Sequence, residues 1–302
     1  MVRHLRKRSD FARGLIDDML FKTNLLFKKD HHLKYPMKCV ILFISCLFLA
    51  NCIEAQEIRY GSNLKTGKYY PVRDINIYTE EYGSGKPLVM IHGNGGDISS
   101  MASIIPCFSK TYRTIILDSR AHGKSIDTGA SLSFEMMADD VASLLDQMKI
   151  DSAYIIGWSD GGIIALELAM RHPEKVIKLA STGANLWPDS TALLPEFWKD
   201  EKKQYDSQKD TPKTSPEEKN SWKVFMLDWE QPNILLTALK KIQTPSLIIA
   251  GDHDLIRIEH TVLIFQNIPG AQLWILPNCS HGTLIEYPKE FYEKINQFFT
   301  SE

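Results

Sequence analysis

The sequence predicts an α/β fold, one domain built on a mostly parallel sheet with helices on both faces. Apolar strand-like segments alternate with amphipathic helix-like ones from Lys68 onward, the pattern of parallel strands joined by crossover helices. The chain has 302 residues, 44% of them hydrophobic, enough for one large core. No internal repeat interrupts the alternation.

Taken in order, "INIYTEEYG" from Ile75 and "PLVMIHG" from Pro87 read as strands, and "MASIIPCFSK" from Met101 as a short helix. "YRTIILD" from Tyr112 is a strand. In "SFEMMADDVASLLDQM", Phe134, Met137, Val141, Leu144 and Leu145 recur at helical spacing. "AYIIG" from Ala153 is a strand, and "GGIIALELAMRHP" is a helix stopped by Pro173. "VIKLAST", "PSLIIAG" and "AQLWILP" give three more strands, with helices at Glu259 to Gln266 and at "KEFYEKINQFF".

The alternation breaks between about Leu186 and Gln231. That stretch holds "KDEKKQYDSQKDTPKTSPEEKN" and four of the six tryptophans, Trp187, Trp198, Trp222 and Trp229. The charge run reads as a solvated face. The tryptophans beside it predict a small helical cap over about 186–231, with its aromatic side packed on the sheet domain. A cap there would cover the carboxyl ends of the strands, where open α/β sheets bind ligands.

The net charge of −2 gives no sign of nucleic-acid binding, but the charge is unevenly spread. Residues 1–38 carry ten Lys/Arg and four Asp/Glu, whereas residues 56–302 carry 25 and 32. After Lys38 an apolar run extends to about Ala50, too short to span a bilayer comfortably and suited to a signal-peptide core. The expected organisation is therefore an upstream extension over 1–36, a signal peptide over 37–55 starting at Met37, cleavage near Ala55, and a secreted or periplasmic domain over 56–302. Two other readings are a lipoprotein, since "LANC" ending at Cys52 resembles a lipoprotein box with Asn51 at the small-residue position, and a retained membrane anchor. Cys39, Cys46 and Cys52 fall in the leader. Only Cys107 and Cys279 remain, so one disulfide at most is expected.

Gly157-Trp158-Ser159-Asp160-Gly161 fits G-x-S-x-G. The bare pattern arises by chance in about one chain of this length in ten, but here it sits between a strand and a helix. A turn that sharp needs small neighbours and leaves the serine Oγ exposed. Serine alone is a poor nucleophile and needs a base. The turn resembles that of the α/β-hydrolase family, in which the chain order is nucleophile, acid, histidine. "GDHD" after the strand "PSLIIAG" offers Asp252 and Asp254 as acids, and "NCSHGTLIEYP" after the last strand offers His281. Of the six histidines beyond the leader, only His281 follows the last strand in a loop entering the final helix.

An acyl-transfer intermediate also needs N–H donors for its oxyanion. The backbone of Asp160, at a helix start whose dipole helps, is one candidate. The glycine-rich "HGNGGD" after an earlier strand supplies the other, at Asn94. That loop lacks both G-x-x-x-x-G-K-[ST] and G-x-G-x-x-G, so it is not read as a nucleotide site.

Together with "DSRAHGKS" (Asp118 to Ser125), these motifs make the chain from about Tyr69 to Phe299 resemble the α/β-hydrolase fold superfamily. "DSRAHGKS" is similar to that family's D-x-R-G-H-G-x-S turn, with Ala121 in place of a glycine. The resemblance implies an eight-stranded, mostly parallel sheet and a Ser159–Asp254–His281 triad, with Asp252 the alternative acid and with Arg120 and His122 bracing their loop. "GWSDGG" followed by "STGAN" is most similar to the valacyclovir hydrolase (biphenyl hydrolase-like) group. Members of that group cleave amino-acid esters, and the resemblance assigns the substrate's ammonium to Asp160, with Trp158 a further substrate contact. Asp160 as a support of the turn alone is the competing reading.

The expected activity is hydrolysis of a small-molecule ester or amide, with no metal or organic cofactor, no nucleic acid, and no membrane unless the leader is retained. A carbon–carbon bond hydrolase with the same triad is an alternative, as is a non-catalytic receptor on the same scaffold. Haloalkane dehalogenation is disfavoured, because serine stands where that chemistry needs a carboxylate.

Overall fold

The structure, a computed structural model, describes residues 58–301. The expectations for the leader, from Met37 to the cleavage point at Ala55 and the Cys52 box, lie outside the described residues. Eight strands form one sheet: β1 Gly67–Val72, β2 Ile75–Tyr82, β3 Lys86–Ile91, β4 Tyr112–Leu117, β5 Ala153–Trp158, β6 Val176–Thr182, β7 Ser246–Gly251 and β8 Gln272–Leu276. Their order is β1-β2-β4-β3-β5-β6-β7-β8. Only β2 runs antiparallel to its neighbours, and the other pairings are parallel. From β3 the chain goes to β4 on one side and then to β5 on the other. The carboxyl ends of β3 and β5 therefore border the crevice where the winding reverses.

The helices are α1 Ile105–Phe108, α2 Phe134–Gln147, α3 Asp160–Arg171, α4 Pro195–Gln208, α5 Pro216–Glu230, α6 Leu236–Leu239, α7 Ile258–Asn267, α8 Thr283–Glu286 and α9 Pro288–Thr300. Strand alternation sorts the core into two layers. Val89, Ile91, Ile115, Leu117 and Ile155 face one way, packing with residues of α2 and α3. Leu88, Met90, Ile116 and Ile156 face the other, packing with Phe291, Ile295 and Phe299 of α9. The helix boundaries follow local chemistry. Ser133 caps α2 by accepting from Met136 N at 3.1 Å, and α3 ends at Arg171, two residues before Pro173.

Strand β1 is the one strand without a clear sequence signal. It contains Pro71 and is largely exposed, which only an edge strand tolerates. Cys107 and Cys279 are free thiols.

Between β6 and β7 stand α4 and α5. A capping box starts α5, with Ser215 and Glu218 each accepting from the other's backbone N–H. The aromatic side does not lie mainly on the sheet domain as the sequence reading expects. Tyr205 of α4 stacks on Trp229 at 4.6 Å and on Trp222 at 6.1 Å, and Trp198 stacks on Trp229 at 6.3 Å. These rings join the two helices to each other. Docking falls instead to Val224 and Leu227, which are buried in the core layer of α2 and α3. Polar contacts set the position: Asn220 Nδ2 donates to Ala121 O at 2.8 Å, Lys223 pairs with Asp127, and Asn94 Nδ2 donates to Val224 O at 3.2 Å. Helix α5 thus sits against the loops at the carboxyl ends of β3 and β4.

Candidate active site

Ser159 lies between β5 and α3 with φ 57° and ψ −120°, a strained backbone for a residue bearing a Cβ. The strain is held by neighbours. Ser159 N donates to Thr182 O at 2.8 Å, and Gly162 N and Ile163 N both donate to Ser159 O. The flanking glycines are needed for the close approach: a Cβ on Gly157 would meet Gly161 O at 2.0 Å, and one on Gly161 would meet Ile91 O at 2.1 Å.

The loops after β7 and β8 bring an acid and a base to this turn. His281 Nε2 lies 2.9 Å from Ser159 Oγ, and His281 Nδ1 lies 2.6 Å from Asp254 Oδ1. With its proton on Nδ1 toward the carboxylate, the imidazole presents the Nε2 lone pair to the serine hydroxyl. Asp254 is buried and also accepts from Ile256 N at 3.0 Å, while its Oδ2 has no partner. Asp252, the other acid of "GDHD", bonds His253 Nδ1 at 2.7 Å and accepts from Cys279 N at 3.1 Å, so it holds a turn rather than His281. Trp158 donates its indole N–H to His281 O at 2.9 Å. That bond commits the polar edge of Trp158 to the loop bearing the base.

On the opposite side, the loop after β3 abuts the serine. A Cβ on Gly93 would stand 2.9 Å from Ser159 Cβ. Buried His92 fixes this loop by accepting from Ser119 N on Nε2 at 3.0 Å and donating from Nδ1 to Gly93 O at 2.7 Å. Burial pushes its pKa down to about 4, so the ring stays neutral, as accepting from an N–H requires. Among the described residues, the backbone N–H groups of Asn94 and Asp160 donate to no protein acceptor.

The side chains of those two residues hold one another, since Asn94 Nδ2 donates to Asp160 Oδ2 at 3.0 Å. Asp160 is 3% exposed. Asp228 of α5 lines the cavity beside Asn94 and lies within side-chain hydrogen-bonding reach of Asp160. Burial pushes both acids up, and Asp228 goes well above the usual carboxylate range because the charges of Asp160 and Glu201 add to burial. Nothing in the sequence marks Asp228. It was not among the expected site residues.

A cavity of about 430 Å³ opens beside Asn94 under α4 and α5, lined by His122, Glu201, Asn220 and Asp228 among others and by no Lys or Arg. His122 is 5% exposed, and its Nδ1 donates to Arg120 O at 2.8 Å while its Nε2 has no partner. A larger groove of about 1020 Å³ continues past Ile126, Trp222 and Met226. Ser159 and His281 line neither space; the smaller one meets the site at Asn94. Arg120, two residues before His122, braces its loop as expected. It bonds Asp140 at 2.6 and 2.9 Å, Asp127 at 2.9 Å and Asp74 at 2.6 Å.

Comparison with known proteins agrees with this geometry. Residues 86–221 match the family described as alpha/beta hydrolase fold. A pimeloyl-[acyl-carrier protein] methyl ester esterase of Nitrosospira multiformis is 24% identical over 263 residues, 74% of this chain and 98% of that protein. A 2-hydroxymuconate semialdehyde hydrolase of a Pseudomonas species is 26% identical over 255 residues, covering 74% and 90%. The serine hydrolase BPHL of Mus musculus is 22% identical over 284 residues, covering 85% and 94%. Among solved structures, Est816, described as an N-acyl homoserine lactone degrading enzyme, superposes with a TM-score of 0.64 at 28% identity, covering 76% of this chain and all of that one. Sheet order, nucleophile turn and relatives agree: the chain is a hydrolase with the α/β-hydrolase fold, and proteins of the BPHL type are among its relatives.

Proposed function

We propose that this hydrolase cleaves carboxylic esters through an acyl-enzyme on Ser159. The observation that carries the reading is the unbroken line from Ser159 Oγ to His281 Nε2 and from His281 Nδ1 to Asp254. In this reading His281 takes the proton of Ser159 as the hydroxyl attacks the ester carbonyl, and Asp254 stabilises the imidazolium. The N–H groups of Asn94 and Asp160 take the charge that develops on the carbonyl oxygen. His281 then returns its proton to the departing alkoxide. Water enters, gives a proton to the same nitrogen and attacks the acyl carbon; the bond to Ser159 Oγ then breaks, His281 returns the proton to Oγ, and the acid leaves. The printed activity of the Nitrosospira relative, a methyl ester esterase, supports this direction.

Replacing Ser159 by Ala tests it. We expect p-nitrophenyl ester turnover to fall by about 10³-fold or more, and fluorophosphonate labelling to vanish, with the melting temperature kept. Retained turnover in that variant would sink the assignment. A panel that includes a vinylogous 1,5-diketone probes the chemistry of the semialdehyde hydrolase relative. Cleavage of that compound, with no ester turned over, would replace ester hydrolysis by carbon–carbon bond cleavage.

A narrower reading, esters bearing an ammonium group, is favoured by the cavity that contains Asp228 and Glu201 but, among the described residues, no Lys or Arg. A cation there would meet the acids and the unpartnered His122 Nε2. Asp160, part of the same acidic group, is the residue to vary. Selective loss of aminoacyl esters in Asp160→Asn supports the reading; equal loss on all esters leaves Asp160 a support of the turn. The segment after Met37 supports export with removal of the leader, and N-terminal sequencing of protein from its native host tests that directly.

A further inference from the structure

We infer that Asp228, supplied by α5, is a positioning residue for the oxyanion hole: its carboxyl proton bonds Asp160, and Asp160 in turn fixes Asn94. The inference rests on the ester-hydrolase reading but uses groups that reading does not require. The two residues offering free N–H groups beside Ser159 are Asn94 and Asp160, and their side chains are bonded at 3.0 Å. Helix α5 touches this pair twice, through Val224 O on Asn94 Nδ2 at 3.2 Å and through the Asp228 carboxyl on Asp160. Val224 and Asp228 are four residues apart, on one face of α5. One helix therefore sets both members of the donor pair.

The link depends on a single proton. Among the described residues no Lys or Arg bonds either carboxyl. The groups with charge that bear on the pair are Glu201 of α4, which repels, and His122 and His281, which sit on the side of Asp160. Asp160 is buried and Asp228 half-buried against it, and two neighbouring carboxylates with no cation between them cannot both ionise at low cost. While one proton remains, Asp228 donates to Asp160 and the donor pair is held. When it leaves, two negative charges face each other across the contact between α5 and the nucleophile turn, and the bond from Asp228 is gone.

The sign follows. Activity on a neutral ester is supported while the pair holds its proton and falls as pH rises through the titration of the pair. Asp228→Asn keeps an N–H donor toward Asp160 and does not titrate. The test measures kcat and KM against pH with p-nitrophenyl acetate, a substrate with no cation of its own. Wild type is expected to lose kcat on the alkaline side, Asp228→Ala to lose kcat by about 10- to 100-fold with KM little changed, and Asp228→Asn to restore most of that loss and abolish the alkaline fall. An Asn variant that keeps the alkaline fall, or that loses as much kcat as Ala, overturns the inference.

A second readout separates this from failure of the ester reading. Trp229 follows Asp228 and stacks on Tyr205 at 4.6 Å, so its fluorescence reports on α5. A fluorescence titration present in wild type and absent in Asp228→Asn supports the proton link even if no ester is turned over. Identical titrations in the two proteins overturn it. Melting curves of both variants are run alongside; if Ala fails to fold, the Asn comparison decides.

Discussion

Two residues of the loop after β4, Arg120 and His122, face two groups of acids, and those groups are treated in opposite ways. Arg120 turns to Asp127, Asp140 and Asp74, meeting them with one guanidinium whose side chain is 1% exposed. Lys223 of α5 joins at Asp127. Burial pushes Asp127 up, but Lys223 and Arg120 more than offset it, and the acid stays below the usual range. Asp140 is raised, because its burial outweighs the same guanidinium. His122 turns the other way, toward a cavity holding Asp228 and Glu201 and, among the described residues, no Lys or Arg, and Asp160 and Asp228 are left to share a proton. The first group is neutralised within the protein and reads as structure. The second leaves an electrostatic demand for a proton or a ligand to meet, and it adjoins Ser159.

The largest effect should come from breaking the neutralised group. Arg120→Met leaves Asp127 and Asp140 enclosed with their main cation gone. A buried pair broken on one side costs about 3–5 kcal/mol, so denaturant melts should show a loss of that order. Loss of only a few tenths would mean that Lys223 and Arg73, which also reach Asp127 and Asp140, suffice alone.

The same mutation made on sequence grounds would have been aimed correctly, since "DSRAHGKS" marks Arg120 as a brace. Much else is legible in the same way. The apolar strands, the Pro173 stop and the strand–serine–helix turn are all local patterns; chain order points to His281 and to the pair Asp252 and Asp254, and the family resemblance picks Asp254 of the two. Asp228 is not legible, because its partner sits at the far end of β5 and only the docking of α5 turns its carboxyl inward. The aromatic residues mislead for a related reason. Helix α5 has two apolar faces, one with Val224 and Leu227 and one with Trp222, Phe225 and Trp229, and spacing cannot say which meets the sheet. Strand β1 is hidden by Pro71, because what makes a proline acceptable there is the absence of a second neighbour.

A smaller and opposite effect is expected at the group lacking a cation. The folded pKa of Asp228 is raised above its unfolded value. The folded state therefore binds more protons once pH passes the ordinary carboxylate range, and stability falls with rising pH until the raised value is passed. Asp228→Asn removes that slope. The variant should equal wild type at low pH and become the more stable of the two as pH rises through the titration of the pair. Melting curves taken across pH check this. A variant less stable at every pH would place Asp228 among the structural acids, beside Asp140.

The smallest effect concerns the residue between the two side chains, Ala121. Its φ of 65° is in the left-handed region, which a Cβ disfavours by about 1–2 kcal/mol. Glycine removes that strain but loses about 0.5–1 kcal/mol more backbone entropy on folding. The loop should keep its shape after the change. Ala121 N donates to Ser125 O at 3.0 Å, Ala121 O accepts from Asn220, and both bonds use backbone atoms that glycine retains. The balance predicts a gain of about 0.5 kcal/mol for Ala121→Gly, a rise of about 1–2 °C in melting temperature for a domain of this size. Against it stands the methyl group, buried in the core layer of α2 and α3. A measured loss would mean that this packing exceeds the strain, and that the alanine anchors the point where the loop divides between its braced side and its open one.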